Sequence, residues 1–117
     1  MRPKRPTVLC ADPSDRRLRQ ITRSLRGFGL SVLSAHSASQ CLALAADQQP
    51  QLVILDADLL QVDYQDIAEY IRRVCTATRI LLAVDDTANW PRPPLFIEKV
   101  IRRGDYRAIV ELADRTA

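Results

Sequence analysis

Apolar residues fall along this chain in short blocks whose period keeps switching. Thr7-Val8-Leu9-Cys10-Ala11 is an apolar run broken by Asp12-Pro13-Ser14-Asp15, which predicts a buried strand, a loop and a helix start. Leu18, Ile21, Leu25 and Phe28 then recur every three or four residues among arginines, an amphipathic helix that Gly27 and Gly29 end. Residues 30–35 alternate well enough for a second strand. Ser37 and Ser39 can cap a helix running through Cys41, Leu42, Leu44 and Ala45 to Pro50. Leu52-Val53-Ile54-Leu55 is unbroken and bounded by Asp56, the mark of a central strand covered on both faces. Ile67, Tyr70, Ile71 and Val74 predict a third helix, residues 80–84 a fourth strand, and Leu95-Phe96-Ile97 a fifth. A last helix from about Asp105 carries Ile109, Val110 and Leu112.

This alternation predicts an α/β fold, a doubly wound parallel sheet of five strands joined by right-handed crossovers, with helices on both faces. In such sheets ligand sites lie outside the carboxyl ends of the strands, at a topological switch point. The polar residues that end the apolar runs therefore share one edge: Asp12, then Asp56 with Asp58, then Asp85 and Asp86. Lys99 follows the fifth run. An aspartate after a strand is a common turn former and helix cap. Several of them around one lysine also form a chemical arrangement, because crowded carboxylates need a cation and hard oxygen ligands suit Mg²⁺.

The chain has 117 residues, 47% of them apolar and 26% charged, which predicts one globular domain over residues 1–117 with no separate output domain. No apolar stretch is long enough to span a membrane, and the basic start, residues 1–6, precedes no signal-like segment, so a cytoplasmic protein without a membrane is expected. Cys10, Cys41 and Cys75 are odd in number and lie in apolar surroundings, as buried small hydrophobes do. The net charge of +3 does not point to nucleic acid, because the arginines scatter over 16, 17, 19, 23, 26, 72, 73, 102 and 103 and read as solvated helix faces. Neither a G-x-G-x-x-G nor a G-x-x-x-x-G-K-[ST] phosphate loop is present, which argues against a nucleotide- or flavin-dependent enzyme. His36, the sole histidine, follows a strand and reads as a loop residue.

Residues 50–64, Pro-Gln-Leu-Val-Ile-Leu-Asp-Ala-Asp-Leu-Leu-Gln-Val-Asp-Tyr, resemble the phospho-acceptor strand and loop of bacterial response-regulator receiver domains. Val8 to Asp12 is similar to that family's first strand and acidic pocket, residues 29–44 to its second strand and helix, and Phe96-Ile97-Glu98-Lys99 to the strand delivering its lysine. The resemblance implies the flavodoxin-like order 2-1-3-4-5 and a stand-alone role in two-component phosphorelay signalling. It implies Asp56 as phospho-acceptor from a histidine kinase, and Lys99 as the phosphate-binding cation. Mg²⁺ would be held by Asp12, Asp56 and the backbone carbonyl of Asp58. No enzyme activity is implied beyond self-phosphorylation and dephosphorylation. A sensor histidine kinase, another signalling protein or a second copy of the chain would be the partner.

Several positions depart from that pattern. One of two adjacent acids at the end of strand one is missing, replaced by Ala11 or Pro13, so Mg²⁺ is expected to bind weakly or not at all. Val84 stands where a hydroxyl residue is expected, Val100 where a proline follows the lysine, and Leu60, Gln61 and Tyr64 replace a proline and glycines. Residues 85–94 hold three prolines at 91, 93 and 94, so the family's fourth helix is expected to be reduced or missing, with Trp90, Arg92 and Phe96 as interaction candidates. These departures define an alternative, a phosphorylation-independent pseudo-receiver acting as a protein-protein interaction module.

Overall fold

The computed structural model describes residues 6–59 and 64–116, so the expectations for Leu60 and Gln61, and for the basic start through Arg5, lie outside the described residues. Five strands, β1 (Thr7–Ala11), β2 (Ser31–Ala35), β3 (Leu52–Asp56), β4 (Arg79–Val84) and β5 (Lys99–Arg102), form one all-parallel sheet in the order β2-β1-β3-β4-β5. This is the expected doubly wound order, with its switch point between β1 and β3. The helices are α1 (Asp15–Gly27), α2 (Ala38–Gln48), α3 (Tyr64–Val74) and α4 (Tyr106–Thr116).

The two-residue period of a strand sorts the core into two layers. Leu9, Ala11, Val53, Leu55, Ile80, Leu82 and Val84 face one side with Cys41 and Ala45 of α2 and Ile67 and Ile71 of α3. Val8, Cys10, Leu52, Ile54, Leu81, Ala83 and Ile101 face the other, with Leu18 and Leu25 of α1 and Ile109 and Leu112 of α4. The same alternation, carried one residue past Leu55 and Ala11, puts Asp56 and Asp12 on the α1/α4 side. Both are buried.

Local chemistry sets the helix ends. Ser14 and Ser37 cap α1 and α2, their hydroxyls accepting from the amides of Arg17 and Gln40 at 3.2 Å each. Gly29, at φ +86°, makes the left-handed turn after α1.

Cys10, Cys41 and Cys75 are free and buried, and Cys75 Sγ donates to the Ala45 carbonyl at 3.1 Å. Burial pushes the thiols of Cys10 and Cys41 up to about 12. Below about pH 9 both the folded and the unfolded chain keep these thiols protonated, and their contribution is constant. Between about pH 9 and 12 only the unfolded chain releases the protons, so stability is expected to fall across that window. Thermal melts at pH 8 and pH 10.5 check this: the drop should shrink in Cys10→Ala and Cys41→Ala, and an equal drop in both variants would refute the assignment.

The fifth strand departs from expectation. Leu95-Phe96-Ile97 is not a strand; β5 begins at Lys99. Pro91, Pro93 and Pro94 lack the N–H a ladder needs, and the Ile97 amide closes a turn onto the Pro94 carbonyl at 3.0 Å with Phe96 at φ +69°. Pairing with β4 starts only when the Glu98 amide reaches the Ile80 carbonyl at 2.8 Å. The stretch before it is reduced, as expected, to one 3-10 turn, Thr87–Asn89, which Asp86 caps by accepting from the Ala88 amide at 2.9 Å. Trp90 and Phe96 are half-buried against the α2/α3 layer, whereas Arg92 and Leu95 are exposed.

Candidate functional site

The carboxyl edge of the sheet gathers Asp12 after β1, Asp56 at the end of β3, Asp58 in the 3-10 turn Ala57–Leu59, and Asp85 after β4. Asp12 and Asp56 are bound first by the chain that follows them. Asp12 Oδ1 accepts from the Ser14 amide and Asp56 Oδ1 from the Asp58 amide, both at 2.8 Å. Each thus also acts as the turn former that an aspartate after a strand commonly is.

The cations on this edge are arginines. Arg103 grips Asp56 side-on, Nε to Oδ2 at 2.7 Å and Nη2 to Oδ1 at 2.8 Å. Its Nη2 also reaches Asp58 Oδ1 at 3.1 Å, and its Nη1 donates to Asp85 Oδ1. Arg17 grips Asp12 in the same manner, with both distances 2.8 Å, and its Nη2 meets Asp58 Oδ2 at 3.1 Å and Asp56 Oδ1 at 3.6 Å. Asp58 therefore bridges the two guanidiniums with its two oxygens. Paired, planar forks of this kind are the strong form of charge-assisted hydrogen bond.

Both arginines are held firmly in their charged form. For Arg103 the chief cause is its hydrogen bonding to Asp56, and for Arg17 its hydrogen bonding to Asp12; partial burial works against this without reversing it. Their backbones are anchored in regular structure. The Arg103 amide donates to the Val84 carbonyl at 2.9 Å, extending the β4–β5 ladder by one bond, and Gly104, at φ +87°, then turns the chain toward α4. Arg17 lies in the first turn of α1.

Lys99 is not brought to this edge. In register it pairs with Leu81, which pairs with Ile54, so it opens β5 below the level of Asp56 and is exposed. Arg103, four residues on and of the same strand parity, stands by Asp56 instead. The reading of Arg17 and Arg103 as solvated-face residues is likewise corrected, since Arg103 keeps 16% of its side chain exposed and Arg17 34%. Arg16, Arg19, Arg23 and Arg26 do lie exposed on α1. For Arg103 a signal existed in the chain, because Val100-Ile101 is the only β-branched pair between the prolines and Gly104, and a strand centred there ends at Arg102-Arg103. Arg17 had none beyond its place one turn from Asp12.

Other expected residues fall in quieter places. Val84 is buried and offers no hydroxyl. His36 is exposed and its Nδ1 lies 2.6 Å from Asp15 Oδ1 on the surface.

A divalent cation fits this donor set poorly. Among the described residues, three donors on Asp56 and three on Asp12 use most of their lone-pair positions, and two positive guanidiniums lie against these carboxylates. Among the described residues, no three acidic, His or Cys side chains form a group able to hold a metal ion. No helix among them is long and apolar enough to cross a membrane. Beside the clamp a cleft of about 210 Å³ runs between α1 and α4, lined by Leu18, Ile21, Ile101, Tyr106 and Ile109.

Known proteins of similar shape are receiver domains. A chemotaxis response regulator of Vibrio cholerae superposes with a TM-score of 0.81 at 15% identity, covering 97% of this chain and 100% of that one. The receiver domain of an HD-domain-containing protein from Pseudomonas fluorescens Pf-5 gives 0.78 at 22% identity, covering 97% and 94%. A Burkholderia pseudomallei response regulator, solved with a phosphorylated aspartic acid, a calcium ion and citrate, gives 0.76 at 15% identity, covering 94% and 69%. No family model and no curated protein matches the sequence. The chain has the receiver fold.

Proposed function

We propose that this chain is a signalling module of receiver fold that acts through protein contacts, without phosphoryl transfer to Asp56. The observation that carries the reading is the fork of Arg103 on Asp56, which engages both carboxylate oxygens. An acceptor carboxylate must present an oxygen lone pair to phosphorus, with cations arranged around the incoming phosphoryl oxygens. Here the cations face the carboxylate itself. With Val84 in place of a hydroxyl, no side chain at the end of β4 can donate to a phosphoryl group.

The partner is a sensor histidine kinase or another signalling protein, and the proposed contact surface is the proline-rich stretch before β5. Arg92 and Leu95 project from it, while Trp90 and Phe96 fix its two ends against the core. Anchoring both ends lowers the ordering cost of binding.

Incubation with acetyl phosphate and millimolar Mg²⁺, followed by intact-mass measurement, tests this reading. The mass is expected to stay that of the unmodified chain. A phosphoryl adduct that Asp56→Asn abolishes would establish the other reading, in which Asp56 is a working acceptor. That second reading draws on Asp56 standing at the switch point with one Oδ2 lone pair unclaimed among the described residues.

A further inference from the structure

We propose that Arg17 and Arg103 together take the place and supply the charge of a divalent cation in the acidic pocket, so that the protein excludes metal until they are removed. The inference rests on the reading of Asp56 as a closed site, and concerns what closes it.

The geometry is that of one ion divided between two side chains. Each guanidinium touches three carboxylates. Arg17 reaches Asp12, Asp58 and Asp56 at 2.8, 3.1 and 3.6 Å. Arg103 reaches Asp56 at 2.7 Å, Asp58 at 3.1 Å, and Asp85. Asp56 and Asp58 are common to both sets. Two guanidiniums supply two positive charges, the charge of one Mg²⁺ or Mn²⁺ ion, and spread them over the same oxygen cluster.

A surface ion pair would not behave this way, because exposed pairs form and break at little cost. Asp12 and Asp56 are buried, so each needs a permanent counter-charge. The main chain that carries each arginine is fixed beside the pocket: the Arg103 amide donates to the Val84 carbonyl, and the Arg17 amide to the helix-capping hydroxyl of Ser14. A metal ion would have to displace one fork while standing beside the other, against like-charge repulsion. Among the described residues no three acidic, His or Cys side chains converge on one point, but a hard divalent ion takes oxygen donors and keeps waters for its remaining positions, so Asp12 and Asp56 freed of the forks can serve as its protein ligands. What excludes the ion is the pair of forks, and taking them away should reveal the site.

Mn²⁺ titration of the full chain, read from the EPR signal of the free ion, tests this. The wild type is expected to leave the signal unchanged at millimolar Mn²⁺. The double variant Arg17→Gln/Arg103→Gln should take up one Mn²⁺ per chain with at least a tenfold gain in affinity, lost again on adding Asp56→Asn. Its melting temperature should rise with Mn²⁺, whereas that of the wild type should not. If the double variant does not fold, the single variant Arg103→Gln leaves Arg17 on Asp12 and should show the same uptake more weakly. Binding of Mn²⁺ by the wild type would overturn the proposal, and so would a folded variant that takes up none. Neither result depends on whether the wild type forms a phosphoryl adduct, so failure here and failure of the closed-acceptor reading are separate outcomes.

Discussion

Replacing Arg103 by alanine is expected to lower the stability of the protein by about 3 kcal/mol, the cost of leaving a buried carboxylate without its partner. In a domain of this size that corresponds to a fall of roughly 15 °C in Tm. The expectation follows from where the pair lies. The Asp56 side chain is 5% exposed and that of Arg103 16%, so neither recovers much hydration when the other is removed. The Asp58 amide and Arg17 remain near Asp56 Oδ1, but Oδ2 loses the one donor that the described residues give it. The test is a double-mutant cycle by urea unfolding. In an Asp56→Asn background the same Arg103→Ala change should cost about half as much, because the charge it leaves behind is gone. Equal costs in both backgrounds would mean that Arg103 contributes through packing or through Asp58 and Asp85, and the fork would lose its place as the centre of the site.

Leu55→Ala is expected to cost a similar amount, about 3 kcal/mol, by a different mechanism. Leu55 is fully buried in the α2/α3 layer, one residue before Asp56 and on the opposite face of the sheet. Truncating it removes apolar contacts and leaves a cavity, for which losses of roughly 2–5 kcal/mol are usual. Because the substitution faces away from the clamp, it should add to Arg103→Ala within about 0.5 kcal/mol. Strong non-additivity would show that the two faces of β3 are coupled through the backbone at Asp56.

Much of this was legible in the chain. The apolar runs at 7–11, 52–55 and 80–84 and the helical stripes through Leu18, Leu25, Ile67 and Ile71 locate the strands and helices to within a residue or two. Their alternation implies the parallel sheet, and the resemblance to receiver domains implies its order. The three prolines at 91, 93 and 94 signal the loss of a helix. Asp12 and Asp56 follow from position alone, as the residues that end the first and third strands, and strand parity places them on one face.

The identity of the cation was not legible in the same way. Phe96-Ile97-Glu98-Lys99 has the look of a strand ending in a lysine, and the β-branched pair Val100-Ile101 is the one local sign of a later strand. What decides the matter is the path of residues 91–98: a chain segment lacking amide donors turns at Pro94–Ile97 and delays pairing until Glu98 meets Ile80. That shift of register carries Lys99 down to the level of Ile54 and brings Arg103 up to Asp56.

Periodicity, a local property, was therefore enough for the sequence alone to determine which residues form the first four strands, which face each one takes and which carboxylates stand at their edge, but it set the fifth strand at residues 95–97, where the structure has 99–102. The tertiary structure decided which charges meet those carboxylates. The clamp draws on α1, the ends of β1 and β3, the loop after β4 and the residue after β5, segments as far apart as Asp12 and Arg103. Only the register of paired strands and the docking of α1 set them within hydrogen-bonding distance.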